Sequence, residues 1–319
     1  MTPPVQVTKT IVVAGGAGLI GSTLIARLLA LGHRVLCLDN LQTGSMANLE
    51  AFTGNPAFQF RQHDVIRSIR IAGPVDEVYN LACAASPPRY QQDPVHTLRT
   101  CTEGSLRLLT LARTKRARIL LASSSEVYGD PLTSPQTEDD RGQVTTTGPR
   151  ACYDEGKRAA ETLFWAFGTH HGVATRIARI FNTYGPQMHP DDGRVMSNFI
   201  VQALQGETLT IYGDGLQTRS FCHVDDLVEG LMRLMASDET RPVNLGNPDQ
   251  ITIRALADKV IARTQSTSQT AHLPLPQDDP RQRRPDITRA AQVLLWSPKV
   301  SLDEGLDGMI SVLKARLDG

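Results

Sequence analysis

The sequence predicts an α/β fold, a doubly wound parallel sheet of the Rossmann type with a smaller α/β substrate-binding domain. Short apolar runs rich in β-branched residues alternate with helical patterns up to about residue 180. A glycine-rich turn directly follows the first run, and the chain after residue 181 is rich in proline and glycine. Strands that alternate with helices form parallel sheets, and such sheets bind ligands beyond the carboxyl ends of their strands.

The first strand and the turn after it form a candidate dinucleotide site. Residues 9–14 (KTIVVA) are typical of a strand, and residues 22–31 have the apolar period of a helix that ends near a glycine. Between them, Gly15, Gly18 and Gly21 let the backbone approach a pyrophosphate at the N-terminus of the helix. A glycine-rich turn also occurs in ordinary βα units, but the ordered series of strand, glycines and helix favours a nucleotide.

The second strand predicts which dinucleotide is bound. Residues 33–39 end in Asp39, which lies 18 residues after Gly21, where an acid is expected to accept hydrogen bonds from the adenosine ribose. A carboxylate there repels a 2′-phosphate, so we expect NAD rather than NADP. Asp64 ends a third short strand and is expected over the adenine, although an aspartate in a surface turn fits the pattern equally well.

The remaining strands and loops predict the division into domains. Further strands are expected at 75–82, 117–123 and 173–180, with a helix at 97–115 between the first two. We expect a NAD-binding Rossmann domain over residues 9–180 plus about 221–250. The substrate-binding domain is predicted at about 181–220 and 251–317, and residues 1–8 are predicted to be a disordered lead-in.

Composition limits the classes of function. The chain has 319 residues, 40% of them hydrophobic, and a formal net charge of zero, so we expect neither a nucleic-acid nor a membrane partner. Its five cysteines are scattered and lack metal-ligand spacing, which predicts core thiols in a reducing compartment, no metal and a cytoplasmic location.

A tyrosine and a lysine four residues apart are the candidate catalytic pair. On a helix, Tyr153 and Lys157 share one face, and the ammonium is expected to lower the phenol pKa toward neutrality. Such a phenolate suits the oxidation of an alcohol. The spacing alone is weak, because an aromatic edge beside a flexible lysine is common. Ser124, at the end of a predicted strand, and Glu126 complete the constellation, although Glu126 could also be a solvated loop acid.

With these residues, the chain resembles the extended short-chain dehydrogenase/reductase family that modifies nucleotide sugars. Within it, the chain is most similar to the UDP-glucuronate decarboxylases, or UDP-xylose synthases. The resemblance runs from about residue 9 to 317, and its most specific segments are 120–131 (LLASSSEVYGDP), 148–158 (GPRACYDEGKR), 178–186 (ARIFNTYGP) and 277–287 (QDDPRQRRPDI). The sequence departs from the family at Ser124, where threonine is frequent, and at His223, where tyrosine is frequent.

The resemblance implies conversion of UDP-glucuronate to UDP-xylose through C4 oxidation by NAD, decarboxylation of the 4-keto intermediate and re-reduction. It implies that Tyr153 accepts the C4 hydroxyl proton, that Ser124 holds that oxygen, and that Lys157 supports the tyrosine. Alternatives are an oxidative decarboxylase that releases UDP-4-keto-pentose and NADH, another nucleotide-sugar epimerase or dehydratase, and a non-catalytic NAD-binding protein.

Three further residues are candidates for the decarboxylation step. Ser125 is expected to hydrogen-bond the carboxylate or the sugar ring, and Glu126 to position the carboxylate or a water molecule. Arg283 is expected to steer the carboxylate or to deliver the C5 proton, although it lies in a charged run of a kind that is usually exposed.

The binding residues complete the predictions. The predicted cofactor-binding residues are Gly15, Gly18, Leu19, Ile20, Gly21, Asp39, Asn40, Thr43, Gly44, Asp64, Val65, Leu81, Thr100, Tyr153 and Lys157. The predicted substrate-binding residues are Ser86, Arg99, Asn182, Arg194, Asn198, Tyr212 and Arg219. Of these, Arg99 is expected either at the sugar carboxylate or on the helix surface. The family also implies a homodimer, formed by the helix of Tyr153 and the helix at 97–115.

Overall fold

The computed structural model describes residues 7–274 and 282–318. Its strands, in chain order, are β1 (Thr10–Ala14), β2 (Arg34–Asp39), β3 (Phe58–Gln62), β4 (Glu77–Asn80), β5 (Arg118–Ser124), β6 (Thr175–Ile180), β7 (Thr183–Tyr184), β8 (Leu209–Tyr212), β9 (Thr218–Ser220), β10 (Cys222–His223), β11 (Val243–Leu245), β12 (Gln250–Thr252), β13 (Thr270–Leu273) and β14 (Gln282–Arg283). Its helices are α1 (Leu19–Ala30), α2 (Pro87–Tyr90), α3 (Pro94–Arg99), α4 (Ser105–Lys115), α5 (Ala151–His171), α6 (Val195–Leu204), α7 (Val224–Ala236), α8 (Ile253–Thr264), α9 (Thr288–Leu294) and α10 (Leu302–Asp318).

A seven-stranded sheet forms the centre of the molecule. Its order is β3-β2-β1-β4-β5-β6-β11, and every pair of neighbours is parallel. The order changes direction between β1 and β4, and in open α/β sheets this switch point is where ligands bind. The predicted doubly wound parallel sheet is therefore confirmed.

Two layers of helices cover the sheet because its strands are apolar on both faces. In β1, residues Ile11 to Ala14 are fully buried, and alternate side chains point to opposite layers. Ile11 and Val13 belong to the core cluster that contains residues of α1 and α7, whereas Val12 and Ala14 belong to the cluster that contains residues of α4 and α5. The position of β1 at the centre of both clusters fixes the turn that follows it.

The helix predicted at 97–115 is divided in the structure. It begins earlier, at Pro94, because Asp93 caps it by accepting a hydrogen bond from the His96 backbone N–H at 2.9 Å. A π-helical turn over Thr100–Gly104 then separates α3 from α4. Such turns widen the backbone locally and are frequent at functional sites.

A third buried cluster lies beyond the central sheet, among α6, α8 and α10. It falls within the ranges predicted for a substrate-binding domain, although the division into two domains stays a prediction. Residues 1–6 of the predicted lead-in and residues 277–281 of the QDDPRQRRPDI segment lie outside the described residues. Among the residues that are described, no helix is both long enough and apolar enough to cross a bilayer.

The glycine turn after β1 depends on close backbone contacts. Gly15 has φ of +80°, and a Cβ there would lie 2.6 Å from the Leu81 carbonyl oxygen at the end of β4. A Cβ on Gly21 would overlap the Gly15 carbonyl oxygen and would lie 2.5 Å from the Gly16 Cα. Because backbone atoms cannot move aside without disturbing β1, these positions require glycine.

We therefore expect Gly21→Ala to destabilise the protein by about 2 kcal/mol, the usual cost of overpacking a rigid site. Gly308→Ala is the matched control, because Gly308 is also helical but its Cβ would meet nothing within 4 Å. This control should stabilise α10 by about 0.5–1 kcal/mol. Urea unfolding of both variants gives the comparison, and equal effects would contradict the packing argument.

Candidate active site

A cleft of about 930 Å³ lies beyond the carboxyl ends of β1, β4, β5 and β6. Gly15 and Leu81 line it directly after β1 and β4, and Ser124 lines it at the end of β5. The loops that follow β6 form its opposite wall. The cleft therefore brings the glycine turn and the Tyr153–Lys157 pair to one cavity, as expected for motifs at strand ends.

The inner end of the cleft has the features of a dinucleotide site. The Asp39 carboxylate accepts hydrogen bonds from the backbone N–H groups of Ala17 at 2.9 Å and Leu41 at 2.8 Å, which fixes it at the end of β2. Burial raises the pKa of Asp39, and the two backbone N–H groups act against this effect. A smaller adjoining pocket places Asp64 beside His96, with Asp64 Oδ2 2.8 Å from His96 Nε2. The glycine turn, whose close contacts leave no room for a Cβ, and the acid at the end of β2 fit a dinucleotide.

All the predicted cofactor-binding residues line one of these two cavities. The main cleft is lined by Gly15, Gly18, Leu19, Ile20, Gly21, Thr43, Gly44, Leu81, Tyr153 and Lys157. The smaller pocket is lined by Asp39, Asn40, Asp64, Val65 and Thr100, together with some residues of the main cleft. The assignment of each to a cofactor atom stays a prediction.

The first two turns of α5 hold the candidate catalytic pair. Tyr153 is only 5% exposed, and the Lys157 Nζ lies 5.5 Å from its ring centroid. The ammonium also donates a hydrogen bond to the Ala122 carbonyl oxygen at 2.7 Å, which ties α5 to β5. Ser124 is the last residue of β5, and its hydroxyl accepts a hydrogen bond from the Glu126 N–H at 3.2 Å.

The predicted lowering of the Tyr153 pKa is wrong for this structure. Burial raises the pKa of Tyr153 well above its ordinary value, the nearby Cys83 thiol adds to the rise, and the Ser124 hydroxyl acts against it. The physical reason is that a phenolate loses its hydration inside the protein. Helical spacing reports that Lys157 is near but does not report the degree of burial.

A buried ion-pair cluster lies beside the tyrosine, and we call Arg150, Glu126 and Arg283 the Arg–Glu–Arg cluster. Arg150 Nη2 donates to Glu126 Oε2 at 2.6 Å, and Arg283 Nη2 lies 2.8 Å from Glu126 Oε1. Burial alone would raise the pKa of Glu126, but the two guanidinium groups outweigh it and leave the pKa below its usual value. Glu126 is therefore a buried, ionised group and not a solvated loop acid.

Sequence reasoning missed three residues around this cluster. They are Arg150, Asp154 and Tyr90. Asp154 lies one helical turn after Arg150 on α5, and the ring of Tyr90 stacks on Tyr153 at a centroid distance of 4.9 Å. The Tyr90 hydroxyl and one Asp154 carboxylate oxygen are buried without a hydrogen-bond partner in the described structure. Arg150 and Asp154 flank Tyr153 within GPRACYDEGKR, so their position in that segment was the available signal.

Most predicted substrate-binding residues line the wider part of the cleft, namely Ser86, Asn182, Arg194, Asn198, Tyr212 and Arg219. Arg194 pairs with Asp192, its Nε 2.5 Å from Asp192 Oδ2, and Arg219 is buried. The His223 side chain accepts a hydrogen bond from the Asp225 N–H at 3.3 Å, so His223 serves as the cap of α7.

Two predicted site residues are not among those that line the cleft. Arg99 makes an exposed ion pair with Glu103, its Nε 2.8 Å from Glu103 Oε1, so it occupies the helix surface and not a place at the sugar. Ser125 is buried in the short 3₁₀ turn after β5, between Ser124 and Glu126, and its role at the carboxylate stays a prediction. The placement of Arg99 at the sugar is corrected, because Glu103 holds its guanidinium at the helix surface.

Comparisons with known proteins agree with this geometry. The model of the NAD dependent epimerase/dehydratase family matches residues 11–246. UDP-glucuronic acid decarboxylase 1 of Danio rerio is 51% identical over 310 residues, which are 97% of this chain and 74% of that protein. UDP-glucuronic acid decarboxylase 6 of Arabidopsis thaliana is 51% identical over 313 residues, 98% of this chain and 91% of that protein. The chain belongs to the UDP-glucuronic acid decarboxylase family.

Solved structures related to this decarboxylase family share its fold. UDP-glucose 4-epimerase of Thermotoga maritima has a TM-score of 0.88 at 27% identity and covers 97% of this chain and 99% of its own. UDP-glucuronic acid 4-epimerase of Bacillus cereus was solved with UDP-glucuronic acid and NAD. It has a TM-score of 0.85 at 25% identity, and the match covers 96% of this chain and 99% of that chain. The decarboxylase family thus shares its scaffold with epimerases, and differences in chemistry must lie in the site.

The buried Asp154 predicts a pH-dependent stability. Burial raises its pKa to about 7, the negative charge of Glu126 adds to this effect, and Arg150 acts against it. Between an unfolded pKa of about 3.9 and this folded value, the folded protein keeps a proton that the unfolded chain releases, so stability falls as pH rises.

Asp154→Asn removes this titration. Its free energy of unfolding, relative to the unmodified protein, should rise by about 2–3 kcal/mol between about pH 5 and pH 8. Urea unfolding at both pH values measures the difference. Glu155→Gln, which neutralises the adjacent, less buried acid and leaves Asp154 in place, is the control. A flat difference for Asp154→Asn would show that the carboxyl does not hold its proton in the folded state.

Proposed function

We propose that the protein is a carboxy-lyase that converts UDP-glucuronate to UDP-xylose. The observation that carries this proposal is the Arg–Glu–Arg cluster beside Tyr153, in a cleft that also holds a dinucleotide turn. The names of the family's relatives support the substrate and the loss of a carboxyl group. Oxidation of an alcohol needs Tyr153 and a hydride acceptor, whereas the cluster adds positive charge suited to a carboxylate.

NAD is the cofactor of this family, and when bound it would supply the hydride acceptor for the C4 alcohol. The glycine turn and Asp39 would hold its pyrophosphate and adenosine ribose. Tyr153 takes the C4 hydroxyl proton, and Ser124, at the end of β5, orients that oxygen. Because burial raises the Tyr153 pKa, the phenolate needs positive charge nearby, and Lys157 supplies part of it.

Decarboxylation follows from the C4 ketone, since a β-keto acid loses carbon dioxide as its bonding electrons move into an enolate. With one carboxylate and two guanidinium groups, the cluster carries a net charge of about +1. This charge attracts the sugar carboxylate and then stabilises the enolate oxygen. Glu126 holds both arginines in place, and Arg283, which lines the cleft, directs protonation at C5.

The outer part of the cleft suits the nucleotide end of the substrate. We assign Arg194 and Arg219, which both line the cleft, to the diphosphate, for which planar guanidinium groups are well matched. Tyr212 is 43% exposed at the rim, where its ring can cover the uracil. Asn182 lies just after β6 and lines the cleft. We assign it to the sugar or the diphosphate.

The proposal is tested by incubating the protein with UDP-glucuronate and NAD. We expect a product that has lost carbon dioxide, with no net accumulation of NADH. Accumulating NADH would instead indicate release of UDP-4-keto-pentose, and unchanged substrate would overturn the proposal. Tyr153→Phe should abolish the first step, because phenylalanine cannot accept the C4 proton.

The cluster is tested by the rate of carbon dioxide release in Glu126→Gln and Arg283→Ala. Each should lose at least about a hundredfold, since each removes charge or order that is needed at the enolate. Glu155→Gln, on the partly exposed face of α5, is the control and should keep its rate. Near-normal rates in both Glu126→Gln and Arg283→Ala would contradict the roles of these residues in decarboxylation, even if UDP-glucuronate is the substrate.

We infer that the protein is a homodimer through the surface formed by α3, α4 and α5, which pack against one another. Val95, Leu98, Leu106 and Trp165 are exposed on these helices, and Trp165 is 62% exposed. A tryptophan on such a surface is typical of a protein contact. Leu108, Leu109 and Phe164, by contrast, are fully buried in the core.

Trp165→Arg should shift the mass in sedimentation equilibrium from two chains to one at micromolar concentration. The physical reason is the introduced charge at an apolar contact. Leu295→Arg is the control, because Leu295 is 81% exposed at the end of α9, away from these helices. A dimer that survives Trp165→Arg would place the contact elsewhere.

We further propose a cytoplasmic location, which the five free thiols support.

A further inference from the structure

Two thiols meet beneath the candidate catalytic pair. The Sγ atoms of Cys83 and Cys101 lie 3.4 Å apart, and either thiol can donate to the other. Cys83 lies in the loop after β4 and lines the cleft, whereas Cys101 is 2% exposed in the π-helical turn between α3 and α4. The residues come from different elements, so their contact is a product of the fold.

The pair is in direct contact with α5. A Cβ on Gly156 would lie 3.0 Å from the Cys101 Cβ and 3.2 Å from its Sγ, so Cys101 fills the space that this glycine leaves. Gly156 lies between Tyr153 and Lys157 in the chain. Cys83 in turn packs against the buried cluster of Tyr90 and Tyr153. A displacement of either sulfur therefore reaches both the catalytic helix and the cleft wall.

We propose that Cys83 and Cys101 form a reversible disulfide that switches the enzyme off when it meets a peroxide. The bond needs an S–S distance of about 2.05 Å, so the sulfurs must approach by about 1.4 Å. The reaction is balanced with hydrogen peroxide as oxidant. The two thiols give up two electrons and two protons, and peroxide becomes two molecules of water.

Access and acidity give the order of steps. Hydrogen bonding from Cys83 lowers the pKa of Cys101 to about 7, with burial acting against this shift and the Lys157 ammonium supporting it. The same hydrogen bond, together with burial, raises the pKa of Cys83 well above its ordinary value, so Cys101 carries the thiolate. Peroxide enters past the cleft-lining Cys83, and the Cys101 sulfur attacks its O–O bond and becomes a sulfenic acid, with release of hydroxide. The Cys83 sulfur then attacks the Cys101 sulfur and gives up its proton, the S–O bond breaks, and water leaves.

Oxidation should compete with the cofactor. Cys83 lines both the main cleft and the smaller pocket that holds Asp39, so a bound dinucleotide covers the path by which peroxide reaches it. Cys101 lies on the π-helical turn, and Thr100 of the same turn lines the smaller pocket, so a shift of Cys101 toward Cys83 also displaces Thr100. The proposed shift thus alters the walls that hold the cofactor.

A peptide map of the peroxide-treated protein tests the bond directly. Trypsin cleaves after Arg89, Arg99 and other basic residues, so Cys83, Cys101 and Cys152 fall in separate peptides. We expect a cross-link between the peptides of Cys83 and Cys101, its loss on reduction, and slower formation with NAD present. A cross-link that involves Cys152, or no cross-link, would overturn the proposal. The map needs no substrate, so it stands apart from the test of decarboxylation.

Function is tested on the same samples. The cross-link should lower NAD binding or carbon dioxide release by about tenfold to a hundredfold, the usual effect of displacing a site by about 1 Å, and dithiothreitol should restore it. Cys101→Ser should keep its basal activity and become insensitive to peroxide, whereas Cys152→Ser should stay sensitive. If Cys101→Ser does not fold, the peptide map of the unmodified protein still shows whether Cys83 and Cys101 become cross-linked. A cross-linked protein with full NAD binding and full activity would overturn the switch.

Discussion

The ion pairs of Glu126 with Arg150 and Arg283 join three separate parts of the chain at the candidate active site. Glu126 follows β5, Arg150 precedes α5, and Arg283 lies on β14. Burying three charged groups costs several kcal/mol each unless they satisfy one another, so the cluster is stable only when all three segments are docked. The position of Tyr153, which lies three residues after Arg150, depends on that docking.

The central sheet gives this cluster its rigid support. β5 lies between β4 and β6, and its last residue, Ser124, begins the turn that carries Glu126. Lys157 ties α5 back to β5 through the Ala122 carbonyl oxygen. The candidate catalytic groups are therefore attached to a strand that is buried on both faces, whereas the opposite wall of the cleft is built from the loops after β6.

Local patterns in the sequence predicted much of the fold and of the nucleotide end of the site. The glycine turn, its helix and Asp39 are consecutive, and their geometry follows from neighbours in the chain. The prediction of one helix at 97–115 was less accurate. The structure has a π-helical turn that contains Thr100 and Cys101, and the spacing of apolar residues in the sequence does not reveal it. Arg99 was a candidate for the sugar carboxylate, but its guanidinium pairs with Glu103 on the helix surface.

The sequence by itself determined the fold class, the resemblance to nucleotide-sugar enzymes and the Tyr153–Lys157 spacing, because each depends on local order and periodicity. Only the tertiary structure decided that Glu126 is paired twice, that the Tyr153 pKa is raised, and that two cysteines are in contact. Residues 126 and 283 are 157 positions apart, and Arg283 is held in place by the pairing of β14 with β9. Burial and long-range pairing are properties of the packed chain, and no local spacing encodes them.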